Sequence, residues 1–246
     1  MATIYDVAAY AGVSPKTVSR VINGDAPVSD KTRAKVETAI AALGYIPSSA
    51  ARVMRSNRSD LIGLITGAIS RTGEYGGVHG LPDMFLIKGI QQKIREAGKT
   101  LMIADTDNRY EQIDPLVRTF MEHRAEGILY VTESHREIVL PEMPNRCPMV
   151  LVNCFDAAGT PSVLPDDERG QYDLVRNIIR HGHRRIAYIT LQAGAEATRL
   201  RLAGYRRALD ESDMVFDPDL VQTGITDFAN DSEPLIAAVL KLLSLA

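Results

Sequence analysis

Gly12 followed two residues later by Ser14-Pro15 fixes a turn and a helix start within four positions, and no other feature constrains the N-terminal part of the chain as tightly. The serine hydroxyl can accept from an orphan amide at a helix start, and the proline supplies a φ that is already helical. A helix is therefore expected from Pro15 to Asn23. Thr3 followed by Asp6 has the spacing of a capping box, which opens an earlier helix over the stretch ending at Ala11. Ala8 and Gly12 are small where these two helices are expected to cross closely, and Val7, Ala11, Val18, Val21 and Ile22 supply the apolar contacts. A third helix is expected over Ser29 to Leu43, capped by Ser29, with Thr32, Val36, Ile40 and Leu43 on one face and Gly44 just past its end. Three such helices suffice for a minimal core.

The second helix leaves Lys16, Thr17 and Arg20 pointing outward near its N-terminal part, which is the part that reads base edges when a helix lies in a major groove. Arg20 has the fork suited to a bidentate contact with guanine. Thr3, Ser14, Ser19 and Asn23 are placed to bond phosphate oxygens, helped by amides at the helix N-termini. The same residues also fit a small packing module with a solvated basic face. Charge separates the two readings: residues 1 to 59 hold eight Lys and Arg against four Asp and Glu, a surplus of four, while the whole chain is −3, which leaves −7 for the remainder. A basic head is attracted to phosphate, and an acidic body is repelled by it.

Tyr45-Ile46-Pro47 stops the helical pattern, and residues 48 to 59 are small, polar and basic, the composition of a linker able to become a short helix. Leu61 to Thr66 is an apolar run too short for a membrane span and suited to a central parallel strand. Helical faces then appear at Leu86, Ile90, Ile94 and Ala97 and at Ile113, Leu116, Val117 and Phe120. They alternate with strand patterns at Thr100 to Ala104, Gly127 to Val131 and Met149 to Asn153. After a proline-rich break from Pro141 to Pro165, a second round is expected over Gln171 to Arg180, Arg185 to Thr190, Glu196 to Leu209 and Pro234 to Leu243. The class is α/β, with two doubly wound lobes and a cleft between them.

Tyr5-Asp6-Val7-Ala8, Ala11-Gly12-Val13-Ser14, Thr17-Val18-Ser19-Arg20-Val21 and Gly44-Tyr45-Ile46-Pro47 together resemble the lactose-repressor/galactose-repressor (LacI/GalR) family. The stretches Asp166 to Gly170, His181 to Ile189 and Arg199 to Arg206 resemble the effector-binding core of the same family, itself similar to periplasmic sugar-binding proteins. The resemblance implies a helix-turn-helix domain at 1–46, a hinge at 47–59, a first lobe at 60–160 and a second lobe at 161–246. It implies Lys16 and Arg20 as base readers, and Ala51 and Met54 at the positions that wedge a minor groove. Met54 departs from the usual leucine but keeps an apolar, pliant wedge. Tyr5, Ser29, Tyr45 and Ser48 complete the residues expected to face DNA. In the body the resemblance places Arg201 in the cleft, donating to a ligand hydroxyl or carboxylate, with Asp166 at a strand end opposite. The loop from Ile69 to Phe85 is longer and richer in glycine than the family's compact turn. Asp83 and Phe85 fall where a carboxylate would pair with sugar hydroxyls and a ring would stack on a sugar face, although a surface loop accounts for them too.

The function these features imply is a sequence-specific transcriptional regulator, a repressor acting as a homodimer on a pseudopalindromic operator in double-stranded DNA, with affinity set by a small carbohydrate effector. A small-molecule sensor that has lost DNA regulation, a truncated inactive regulator and an enzyme on the same body remain as rivals; the leading expectation is no enzyme. Gly98-Lys99-Thr100 imitates the end of a phosphate loop, but Lys93 stands where that loop needs glycine and the glycine follows a helix, so Gly98 reads as a helix end. Among His79, His123, His135, His181 and His183 only His181-Gly182-His183 is closely spaced, ahead of a strand, and is expected to be structural. Cys147 and Cys154 are expected as free thiols. No metal and no cofactor are expected, and with no leader and no membrane-length apolar stretch the expectation is a cytoplasmic protein without a membrane partner. Family cores continue for several strands beyond a helix at Pro234 to Leu243, so the second lobe is expected to be incomplete.

Overall fold

The computed structural model describes residues 2–24, 27–47, 58–67, 69, 81–107, 109–142, 148–224 and 233–245, with residues 81–84 described by backbone alone. The expectations for Ser48, Ala51, Met54, the glycines of the 70–80 stretch and the side chain of Asp83 fall outside the described residues, as do those for His79 and Cys147. The chain divides into two units, Met1–Ser59 and Asp60–Ala246.

In the first unit, α1 spans Ile4–Ala11, α2 spans Pro15–Asn23 and α3 spans Asp30–Leu43. Each begins where a local signal predicted it. Thr3 and Asp6 form a complete capping box, with Asp6 N donating to Thr3 Oγ1 at 3.3 Å and Thr3 N donating to Asp6 Oδ2 at 2.7 Å. Ser14 accepts from Thr17 N at 3.2 Å, and Ser29 accepts from Thr32 N at 3.4 Å. The core consists of Val7, Ala8, Ala11, Val18, Val21, Val36 and Ala39. Burying each valine of this set contributes about 1.5–3 kcal/mol. Two expectations need correction. Gly12 does not serve a close helix crossing, because a Cβ there would meet nothing within 4 Å; its φ of +65° makes it the left-handed residue that ends α1. Thr32 is not part of the apolar face of α3, since its hydroxyl is shared with Ser29 Oγ at 2.9 Å, and Ala39 takes the buried place beside Val36.

The second unit holds a five-stranded parallel sheet of β1 (Leu61–Thr66), β2 (Thr100–Asp105), β3 (Gly127–Glu137), β4 (Met149–Phe155) and β5 (Ser162–Val163), in the order β2-β1-β3-β4-β5. Helices α4 (Leu81–Glu96) and α5 (Ile113–Glu122) cover its two faces. Leu64 packs with Ile87 of α4, Val131 and Val152, while its neighbour Ile65 packs with Ile113, Val117 and Phe120 of α5. Adjacent strand residues thus enter two separate cores, which is why β1 is apolar throughout instead of alternating. Gly63 is required by sterics, since a Cβ there would lie 2.8 Å from the ring of Phe120. The glycine at the end of α4 acts as expected: Gly98 has a φ of +68° and closes the helix. Lys99 then pairs with Glu126 and lies 3.7 Å from Asp60 Oδ1, a structural use for the residue of the imitation phosphate loop.

A second, two-stranded parallel sheet joins β6 (Tyr188–Thr190) to β7 (Val221–Thr223), flanked by α6 (Asp167–Arg180), α7 (Glu196–Asp210) and α8 (Glu233–Ser244). Its core gathers Val175, Ile186, Tyr205, Ala208 and Leu209. The sheet of the first lobe runs to Val163, past the expected boundary at 160, because Leu151 and Val152 register with Ser162 and Val163. Phe85 also moves: it belongs to α4, not to a loop, and its side chain is exposed. No helix among the described residues is long and apolar enough to cross a membrane.

Candidate functional site

On α2 the buried residues Val18 and Val21 face the core, and that fixes what faces out. Lys16 and Arg20, four residues apart, are exposed on one face, and neither makes an ion pair among the described residues. The polar residues around them are partly engaged. Thr17 Oγ1 lies 2.9 Å from Ser14 Oγ, and Asn23 Nδ2 donates to Ser19 O at 2.6 Å and to Ser19 Oγ at 3.1 Å. Each hydroxyl keeps acceptor capacity. Tyr5 is exposed on α1 near the capping box, Ser29 caps α3, and Tyr45 packs against the three-helix core. α2 thus offers two exposed cations, Lys16 and Arg20, and a fringe of hydroxyls on a scaffold whose helix starts are fixed by its own sequence.

The body carries its site at the carboxyl ends of β3 and β4. The crevice at the switch point itself, where β2 and β3 flank β1 on opposite sides, is a separate and smaller one of about 350 Å³ lined by Gly67, Thr106 and Tyr130. Pairing of β3 with β4 breaks register between Val131 and Arg136, and Asn153 opposite the break takes a φ of +61°. Thr132 holds this irregularity from both directions, donating from its hydroxyl to Asn153 O at 2.9 Å while its carbonyl accepts from Asn153 Nδ2 at 3.0 Å. A bulge of this sort re-aims side chains. A cleft of about 910 Å³ follows, lined by His135, Asn153 and Phe155 from the first lobe and Asp167, Glu196 and Arg201 from the second. Its volume lies within the range usual for small-molecule sites.

Arg201 is among the residues that line this cleft and stays partly exposed. Asp166 serves as the N-cap of α6, accepting from Arg169 N at 3.2 Å, and lines with Arg201 an adjoining cavity of about 550 Å³, while the buried carboxylate of the next residue, Asp167, lines both that cavity and the cleft. Phe85 is not among the lining residues. Asp167 and His135 were missed because an acid beside an N-cap and a lone histidine in a strand each have an ordinary structural account. Asn153 had a visible signal, a polar residue interrupting the apolar run Met149 to Phe155. His181 bonds through Nδ1 to Asn177 O at 2.8 Å at the end of α6, the structural use expected of it. Cys154 is buried and free, with burial pushing its thiol pKa up. Among the described residues no cluster could hold a metal ion.

Residues 3–48 match the model for bacterial regulatory proteins of the lacI family, and residues 84–244 match that for periplasmic binding proteins and the sugar-binding domain of the LacI family. The chain is 34% identical to the ribose operon repressor of Escherichia coli (strain K12) over 93% of its own length and 67% of that protein. Among solved structures it resembles the Lac repressor dimer bound to operator and the anti-inducer ONPF, with a TM-score of 0.65 and 27% identity over 87% of this chain and 63% of that one. It also resembles the complex of the transcriptional regulator CelR with cellobiose, with a TM-score of 0.55 and 30% identity over 99% of this chain and 71% of that one. The chain therefore spans about two thirds of the proteins it matches. A capped helix-turn-helix, a two-lobed α/β body and both family matches converge: the chain belongs to the LacI family of bacterial regulatory proteins.

Proposed function

We propose that this protein is a sequence-specific transcriptional repressor whose hold on DNA is set by a small carbohydrate effector. The observation that carries the reading is the pairing of Lys16 and Arg20, exposed and unengaged on α2, with an interlobe cleft in the body of the same chain. In this reading α2 enters a major groove, Arg20 and Lys16 meet base edges, and the hydroxyls of Thr3, Ser14, Thr17, Ser19 and Ser29 hold phosphates. Tyr5, Asn23 and Tyr45 are read as contacts of the same kind, and the family resemblance adds Ser48, Ala51 and Met54 to the DNA-facing set. The E. coli relative is a repressor of a ribose operon and CelR is solved with cellobiose, which supports a neutral sugar in the cleft, with Arg201 as its donor. The Lac repressor neighbour is a dimer on its operator, which supports two copies acting on a pseudopalindrome, and a cytoplasmic site of action goes with that reading. Effector and DNA then bind with reciprocal effect.

The test is a footprint of the purified protein on DNA flanking its own coding region, repeated with D-ribose and with cellobiose. A protected pseudopalindrome whose protection responds to one sugar is expected. Equal protection of every sequence at physiological salt would refute the repressor reading. Sugar-dependent thermal stabilisation without any footprint would favour the sensor that has lost DNA regulation.

A further inference from the structure

Asp167 is the buried aspartate of the cleft, and its two oxygens are taken from opposite lobes. Oδ1 accepts from Arg201 Nε of α7 at 2.6 Å, and Oδ2 lies 2.8 Å from His135 Nδ1 of β3. The Asp167 and His135 side chains are 3% and 5% exposed, and Arg201 is 40% exposed. We propose that His135 and Asp167 are positioning residues for Arg201, so that a first-lobe histidine sets the guanidinium that faces the effector. The inference rests on the reading of Arg201 as the effector's donor.

The chemistry runs in one direction. An ionised carboxylate only accepts, so the histidine nitrogen facing it carries a hydrogen. A carboxylate cut off from water needs both oxygens satisfied, and here neither lobe supplies both partners. With Nε–H committed to Asp167, the terminal nitrogens of Arg201 remain for the cleft, in one orientation. Phe155 holds the His135 ring edge to face, with centroids 5.9 Å apart and planes at 79°, which limits its rotation. His135 sits within the irregular stretch of β3, so the bulge presents the ring to α6. Any separation of β3 from α6 leaves Asp167 Oδ2 bare and releases the constraint on Arg201. The donor is therefore ready only in one spacing of the lobes, before any effector arrives.

Nuclear magnetic resonance of the isotope-labelled 246-residue protein tests this. In the unaltered protein the His135 ring is expected to carry hydrogen on Nδ1; a ring bare at Nδ1 overturns the proposal without any variant. The Arg201 Nε–H is expected to exchange with water about tenfold more slowly than exposed arginines. Asp167→Ala and His135→Met should each abolish that protection, while His135→Gln, which keeps a donor, should restore most of it. Full protection in His135→Met overturns the role of His135. D-ribose affinity of the same proteins bears on the effector alone: absence of affinity with the exchange pattern intact refutes the sugar reading and leaves the positioning standing.

Discussion

Single residues decide the specificity of the head. Arg20→Ala is expected to cost about 1–3 kcal/mol on the preferred site and to relax preference at one base pair, read from binding to a set of single-site operator variants. A loss that is uniform across the set makes Arg20 a phosphate contact. Thr3 acts on stability instead. Its side chain, with a further contribution from its backbone amide, holds the Asp6 carboxyl below the ordinary aspartate value of 3.8. A depressed folded-state value stabilises the head above the unfolded-state value, and that stability is lost as pH falls through the folded one. Thr3→Ala should therefore lower the melting temperature of the head most at neutral pH, with the gap to the parent narrowing in acid. A gap that widens in acid would contradict the capping box as the cause.

At the scale of elements, the contact between α6 and α7 depends on one missing methyl. A Cβ on Gly204 would lie 2.1 Å from Glu168 O, so Gly204→Ala must part the two helices. Alanine gains about 1 kcal/mol of helix propensity, and overpacking costs about 1–3 kcal/mol. At so short a contact the clash wins, and a net loss of about 1–2 kcal/mol is expected in denaturant unfolding of the body, with the separate core of the head unaffected. Elements of this kind were legible where their cause is local. The helix starts at Thr3, Ser14 and Ser29 and the alternating apolar runs of the body are written in adjacent residues, and the structure matches them closely. The short strands β5 and β7 were not legible, because pairing with β4 and β6 makes them and their own residues say little. The cleft was legible in Arg201 only. Asp167 and His135 lie 32 positions apart and acquire meaning through a contact that no spacing along the chain announces.

For the whole molecule the uneven charge matters most. The surplus of four cations before Asp60 and the seven net anions from Asp60 onward predict operator affinity that falls steeply with salt. A cation of the head that contacts phosphate adds about 1 to the slope of log affinity against log salt, and replacing it lowers the slope by that amount. Titration by fluorescence anisotropy at several salt concentrations measures this, and a flat response would exclude phosphate as the main source of affinity. The tie among Asp60, Lys99 and Glu126 gives the chain a further property. Asp60 donates its amide to Glu126 Oε1 at 3.0 Å, and its carbonyl accepts from Thr100 N at 2.7 Å, so three strands of the first lobe begin at one fastened point. Asp60 is thus a mooring: the first residue of the body is fastened to the roots of the strands that follow it. Slack introduced ahead of it should uncouple the sensor from the grip, whereas the lobe behind it would keep its shape.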